Sequence, residues 1–529
     1  MKKAVVGVGV ALLFGLLLLT LVGGYGVGGG LEQRLSSAVA EFDAESDQVT
    51  VEVVEFDRGH WSSQAQLRIA LSGEVAAEYR REVGAPFAFE VPLTIEHGPL
   101  LWEATGPRFA WARASGDVRL TPGTVAGVEQ ASGEVMQWRV PLDGSPAELE
   151  LRFGLGGQLD GRLTLRDFSG TVVEADGERL ALTLADVELR HRSEAAGERF
   201  FTTVRGAELG YALGAAGGER QGASDRGQLR DFVLSITGEA HPSGLWPGGL
   251  ELSAAEWSLH SGGLGHDGAR GGLPALGWQG EEVALRYSLE LAQERATLGV
   301  AADSGPLRWW LDREEVRLAA AQLRATLSEV TAESLLSANR LLQESDGLTA
   351  YQRDRLAQAA ISEFINGGPR LQVDTLRLVG EHGAGELSGR LQLTERSNRV
   401  LNPWAILEGA DLDVTLRIDE RQLFALLGAM GAAVEDTTGL GGESGVELGI
   451  GQPDQPGAEL GIEADEARTQ PVARPGGQWQ QIIEEAVAAG YIERQDGVLS
   501  SRLRFSDARL RINDQPAEEL VLALWAAFL

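Results

Sequence analysis

Between positions 56 and 63 the chain reads FDRGHWSS, which sets Asp57, His60, Ser62 and Ser63 close together. These are the residue types of a Ser-His-Asp relay, in which an imidazole takes the proton of an attacking hydroxyl and a carboxylate orients the imidazole. Such relays converge from separate elements of a fold. Here the residues run straight into QAQLRIAL, where Ala65, Leu67, Ile69 and Leu71 alternate with Gln64, Gln66 and Arg68. Neighbours on a strand point to opposite faces, so this spacing disperses the groups. No G-x-S-x-G elbow occurs elsewhere. The stretch therefore reads as a corner between strands. Apolar parity is odd at Val51 and Val53, even at Val54 and Phe56, and odd again from Trp61 to Leu71. That reversal predicts a bulge and then a turn, with Gly59 at positive φ, Asp57 bonded to nearby backbone and Trp61 restarting the buried face.

The remaining reactive residues are scattered. Seven histidines (60, 97, 191, 241, 260, 266 and 382) include no pair at metal-ligand spacing, and cysteine is absent. Disulfides, thiolate metal sites and cysteine nucleophiles are thereby excluded, and neither a metal nor a cofactor is expected. His97-Gly98-Pro99 is expected to be a turn that leaves an imidazole at a strand end, because proline keeps Gly98 extended or turned. Acid pairs such as Glu281-Glu282 and Glu484-Glu485 read as solvated surface in a chain with 77 acids. Two G-x-G-x-x-G matches, at 24–29 and 263–268, lack the flanking strand and helix of a dinucleotide fold. The twelve tryptophans are expected as core or edge anchors, with some available to line an apolar groove or meet lipid headgroups. No catalytic residue emerges.

These residues must be positioned by a large body. At 529 residues the chain exceeds what one core usually fills. Its net charge of −31 repels nucleic-acid phosphates and anionic lipid headgroups, so nucleic-acid binding is not expected. After Lys2 and Lys3, residues 4–22 are uncharged and apolar or small, and as a helix they would span ~28 Å, close to a bilayer core. The flanking lysines and the later acids Glu32, Glu41 and Asp43 orient the N-terminus to the cytoplasm and export the rest, with a cleaved signal peptide as the competing reading of the same segment.

From about 50 to 310 the apolar pattern has period two, broken by Gly-, Asp- and Pro-containing turns. After 320 strands feed short amphipathic helices three times, at 332–342, 420–430 and 516–525, with Thr331, Asp419 and Asp514 as caps and Pro516 in a first turn. A further helix over 351–365 should end at Gly367-Gly368-Pro369. The expected class is α+β and strand-dominated: long twisted antiparallel meander sheets with short capping helices, preceded by one transmembrane helix. The expected organisation is a signal anchor at 1–30, a β-rich meander at 31–319 and a strand-plus-helix region at 320–435. A flexible Gly/acidic linker at 436–476 and a helix-strand-strand-helix module at 477–529 complete it.

An apolar N-terminal segment is followed by Arg58-Gly59-x-Trp61-Ser62-Ser63 before an alternating strand, and then by His97-Gly98-Pro99. This arrangement resembles the YdgA-like family of bacterial inner-membrane proteins. The C-terminal DGVLSSRLRFSDARLRINDQPAEEL is similar in kind. The resemblance covers roughly 1–100, 320–430 and 490–529. It implies a periplasmic, β-rich body on one inner-membrane anchor, and no settled activity. The function expected is that of a non-catalytic envelope protein whose elongated β surface binds lipid or a protein partner. The alternative is an envelope hydrolase or glycan-processing enzyme using carboxylates gathered by the fold.

Overall fold

The computed structural model describes residues 39–40, 48–59, 62–97, 101–103, 106–124, 136–138, 145–173, 178–194, 199–215, 225–241, 245–261, 276–311, 314–344, 349–395, 406, 409–428, 475–507 and 509–517. Residues 4–22, His60, Trp61, Gly98, Pro99 and most of the Gly/acidic tract lie outside them. Among the described residues no helix is long and apolar enough to cross a membrane.

Strands dominate. The first are β1 (Val49–Asp57), β2 (Ser62–Leu71), β3 (Ala88–His97), β4 (Leu101–Glu103), β5 (Gly106–Arg108), β6 (Ala112–Leu120), β7 (Met136–Trp138), β8 (Ala147–Phe153) and β9 (Leu159–Leu165). The middle holds β10 (Phe168–Val173), β11 (Glu178–Ala185), β12 (Glu188–Ser193), β13 (Arg199–Ala215), β14 (Asp225–Glu239), β15 (Gly248–Ser261), β16 (Leu276–Ala292), β17 (Arg295–Ser304), β18 (Leu307–Leu311) and β19 (Glu314–Thr331). The last are β20 (Arg370–Gly380), β21 (Gly383–Leu393), β22 (Ala410–Asp419), β23 (Glu493–Gln495), β24 (Val498–Ser506), β25 (Arg509–Ile512) and β26 (Gln515–Pro516). The helices are α1 (Gly73–Val83), α2 (Ala332–Glu344), α3 (Ala350–Asn366), α4 (420–428) and α5 (Pro475–Ala488).

Apart from the small β4·β5 pair, these strands form one sheet in which neighbours run antiparallel. From β1 it passes through β2, β3, β6, β8, β9 and β12 to the long strand β13. It continues through β14, β15, β16, β17, β19, β20, β21 and β22 to β24 and β25. Hairpin connections make this mostly local pairing, as a meander of period-two segments requires.

At the N-terminal end one face is closed. Leu67, Ile69, Val91, Leu93, Ile95, Leu151 and Leu163 form a buried cluster against Val75 and Tyr79 of α1, whose Tyr79 ring meets Phe87 edge-on at 5.1 Å. The sequence pattern did not flag α1, although Val75 and Tyr79 sit at the i, i+4 spacing of a helix face. The β1·β2 ladder shifts register between Val53 and Glu55, which is the expected bulge. Its extra residue, Val54, points outward at 50% exposure, while Phe56 packs on the core. Gly59 is not at positive φ; its role is close approach, because a Cβ there would stand 2.0 Å from the Ser62 carbonyl oxygen.

A crease crosses the middle of the sheet. Asp186, Asp231 and Glu282 have φ of 50°, 45° and 52°, and the registers align them: Asp186 opposite Gly206-Ala207, Asp231 opposite Ala207, and Glu282 opposite Ala255, which itself faces Asp231. A left-handed residue in a strand resets the alternation of faces. Leu229 and Phe232, Ala254 and Trp257, and Leu184 and Val187, each three apart, therefore share one cluster. Shorter strands break at this line, β11 from β12 and β17 from β18, while β13 to β16 pass through it.

Around the crease, aromatic rings lie over glycines on the adjacent strand. The directly opposed pairs are Phe232 with Gly206, Phe200 with Gly238, Tyr211 with Gly227, Trp257 with Gly280 and Trp310 with Gly277. A Cβ at any of these glycines would lie within 2.6 Å of the facing ring. In these five pairs each ring shields backbone that its glycine partner leaves bare.

Toward the C-terminus, α3 begins with a capping box at Thr349 and Gln352 and ends at Gly367-Gly368, as its sequence requires. Thr331 caps α2 through the Ser334 amide, whereas the Asp419 carboxylate accepts from the Ala384 amide across the sheet. The expected start of the third helix is corrected at Asp514 and Pro516, while 518–525 lie outside the described residues. Pro516 lies in β26 against Arg511, and Asp514 (φ 64°) follows Asn513 (φ 47°) in a hairpin turn rather than capping a helix.

These contacts predict unequal tolerance at two glycines. Gly206→Val should cost about 1–3 kcal/mol in chemical denaturation, because the facing Phe232 is 5% exposed and has nowhere to move. Gly227→Val should cost less, since the half-exposed Tyr211 ring can swing into solvent.

Candidate functional site

Antiparallel partners directly opposite in register project to the same face, so the strand pairings resolve into transverse rows. One row carries Leu234, Leu252, Leu285, Ala302, Leu323, Leu376, Leu387 and Leu416 from β14 to β22. Beside it run Ile236, Leu250, Tyr287, Val300, Ala325, Val373, Gly389 and Val414 in the same pairings. A third row carries Leu289, Leu298, Leu327, Leu371, Leu391 and Leu412, and continues into Phe505 and Leu510. Followed the other way, the first row runs through Val204, Leu189, Leu163 and Leu149 to Leu93. One apolar face thus extends from the closed N-terminal core across the rest of the sheet.

It differs along its length in what covers it. Leu93, Leu163 and Leu189 are buried beneath or beside the α1 cluster. From β13 onward Tyr211, Leu250, Leu259, Leu285, Tyr287, Val300, Leu371 and Leu416 are each between 36% and 44% exposed, and all eight lie on this face. At the far margin Ile418 and Leu499 are covered by Leu423 and Phe424 of α4 and by Ile483 of α5. This half-exposed apolar stretch is the candidate site, because isolated folded proteins rarely leave so extended an apolar surface open.

The opposite face is charged. Cross-strand ion pairs join Arg286 to Glu251 (3.5 Å), Arg324 to Asp303 (3.1 Å), Arg390 to Asp411 (3.7 Å) and Arg502 to Asp413 (2.6 Å). Two open hollows lie on it and share Phe201. One of ≈ 500 Å³ is lined by residues of β8, β9, β12 and β13, and one of ≈ 710 Å³ by residues of β14 to β20. Two of its carboxylates are held firmly by arginines: a hydrogen bond from Arg190 is the main reason Glu188 sits below the usual carboxylate range, and one from Arg502 does the same for Asp413. Among the described residues no three His, Asp or Glu side chains gather as a metal site.

The residues singled out from the sequence separate into two groups. Register β2·β3 places Ser63 opposite Ile95 and brings its Oγ to 3.0 Å from His97 Nε2, so the two turn motifs meet at one end of this hairpin. Ser63 is 2% exposed. Asp57 is opposite Gln64 at the end of β1, Arg58 and Ser62 are exposed, and no relay forms among the described residues. The pair latches the hairpin.

Sequence reasoning did not single out His191. It sits in the second row between Gly161 and Thr202, where the covered and open parts of the face meet. The ring is 2% exposed, its Nδ1 is 2.9 Å from Thr202 Oγ1, and Nε2 has no hydrogen-bond partner. Phe200 stacks on it at 6.1 Å. Burial pushes its pKa from 6.5 down to about 4, against a smaller upward pull from Asp160. Only the alternation of β12 hints at this, since Leu189, His191 and Ser193 share parity.

A family model described as "Bacterial protein of unknown function (DUF945)" matches residues 1–519. No curated protein and no solved structure matches the chain.

The buried imidazole makes stability pH-dependent with a definite sign. Its folded pKa is depressed, so the unfolded chain binds the proton more readily. The contribution is complete above pH 6.5 and is lost as pH falls from 6.5 toward 4, to a total of about 3 kcal/mol. His191→Leu should flatten unfolding free energy against pH across that window. Ser63→Ala should cost about 1 kcal/mol at pH 7, by loss of the His97 hydrogen bond.

Proposed function

The chain belongs to the bacterial DUF945 family of proteins of unknown function, and on that premise we propose that it is a non-catalytic component of the cell envelope that holds lipid acyl chains on its apolar sheet face. In this reading residues 4–22 anchor it in the inner membrane, the N-terminus is cytoplasmic, the body is periplasmic, and the YdgA-like grouping is its finer place in the family.

The half-exposed apolar face supports this reading. From β14 to β22 it spans eight strands, roughly 35 Å at the interstrand spacing, about twice the ~15 Å depth of one hydrocarbon leaflet. Its rows are aliphatic with one tyrosine, and they offer contact without hydrogen-bond partners, which suits methylene chains. A protein partner is the competing occupant of the same face. The hydrolase reading requires a carboxyl whose pKa is raised for proton donation. Among the described residues the carboxyls with displaced values, Glu188, Glu315 and Asp413, all move downward under arginine hydrogen bonds.

Adjacent positions on β17 provide the test. Val300 lies on the apolar face, and Ala301 on the charged one between Arg286 and Arg324. A photo-crosslinking residue placed at 300 in the full chain, irradiated in intact cells, should yield lipid adducts by mass spectrometry, while the same residue at 301 yields few. Equal labelling at both positions would remove the lipid reading, and a single protein adduct at 300 would replace it with the partner reading.

A further inference from the structure

The ≈ 500 Å³ hollow on the charged face is anomalous in its charge. Five arginines line it, Arg152, Arg162, Arg190, Arg192 and Arg205, against the acids Glu150, Asp160 and Glu188. The chain as a whole has the reverse bias, 46 basic residues to 77 acidic. Its neighbours on the sheet are balanced: the ≈ 710 Å³ hollow has Arg286 and Arg324 against Glu251 and Asp374, and a third has Arg226 against Glu208.

The register sharpens this imbalance. Arg162 of β9 stands directly opposite Arg190 of β12, a like-charge pairing that costs stability on its own. Both guanidiniums share one carboxylate, Glu188, at 2.6 and 2.5 Å. Glu150 is also shared, by Arg113 at 2.9 Å and Arg152 at 4.0 Å, and Asp160 is taken by Arg192 at 3.2 Å. Arg205 is opposite Glu188 across β12·β13, yet among the described residues it makes no ion pair, and it is exposed. The next position in the Arg162–Arg190 row is Thr203, whose hydroxyl extends the line of donors. Opposed planar forks beside a hydroxyl and an uncommitted guanidinium match the tetrahedral, multiply charged oxygens of a phosphate group.

We propose that this hollow binds a phosphate monoester group, with Arg162, Arg190 and Arg205 as its cationic ligands and Thr203 as a hydroxyl donor. The site is on the opposite face from the apolar rows and does not depend on what those rows carry. Phosphate neutralises the local excess and relieves the Arg162–Arg190 repulsion that Glu188 alone now offsets. Selectivity over monovalent anions follows from charge and from the number of donors.

Calorimetry on the full chain in a neutral detergent tests it, with two probes at matched ionic strength: inorganic phosphate and the soluble dihexanoyl phosphatidic acid. Saturable binding of both identifies the phosphate group itself as the ligand. Binding of the phosphatidic acid alone identifies a lipid headgroup. In either case Arg205→Ala, which breaks no ion pair, should weaken binding by about tenfold or more. Arg190→Gln should do the same, and Arg286→Ala in the balanced hollow should have no effect. Absence of saturable binding by both probes, or equal affinity in parent and Arg205→Ala, overturns the proposal. So does loss of binding in Arg286→Ala to the same degree.

Discussion

In-register antiparallel pairing is the constraint on which the rest depends. Each strand's partner residue projects to the same side, so a strand can join only if its own alternation agrees with its neighbour's. Leu285 faces Ala302, which faces Leu323, which faces Leu376, and agreement at every step produces a surface that no individual strand encodes. A slip of one residue anywhere would carry arginines such as Arg286 and Arg324 to the apolar side. The cross-strand ion pairs on the other face penalise the same slip, so both faces hold one register.

The crease complicates that agreement without breaking it. Strands as long as β13 and β16 twist strongly, and a row of left-handed residues lets them turn while keeping their apolar side chains on one surface. Aspartate tolerates this conformation better than most non-glycine residues, which fits Asp186 and Asp231; Glu282 does so as well. The glycine-aromatic pairs around the line serve the same bend, since close backbone approach needs a residue without Cβ and a ring to cover it. These pairs give Trp257 and Trp310, and the glycines opposite them, a defined structural role.

Cover, rather than hydrophobicity, divides the apolar face. Helix α1 and the strands around it bury the N-terminal third, whereas from β13 onward the same kind of side chain is left half in solvent. His191, Ser193 and Thr202 are buried polar residues at that boundary. A neutral imidazole there costs little at neutral pH, and charging it would place a cation inside the start of the apolar surface. The charged reverse face carries the arginine-rich hollow beside the same strands.

Period-two alternation in 62–71, 180–184 and 283–291 determined by itself that the chain is strand-dominated and antiparallel, because a half-buried strand must alternate. The parity reversal near Val54 likewise determined the bulge, and Gly367-Gly368-Pro369 the end of α3. Three other features depended on partners distant in the chain: Ser63 with His97, Arg162 with Arg190, and the leucine rows. Alternation states that a side chain faces one side, but not which strand will lie beside it, nor whether a helix such as α1 will cover it. Contact between strands is decided by register across turns of unequal length, and only the folded sheet sets that register.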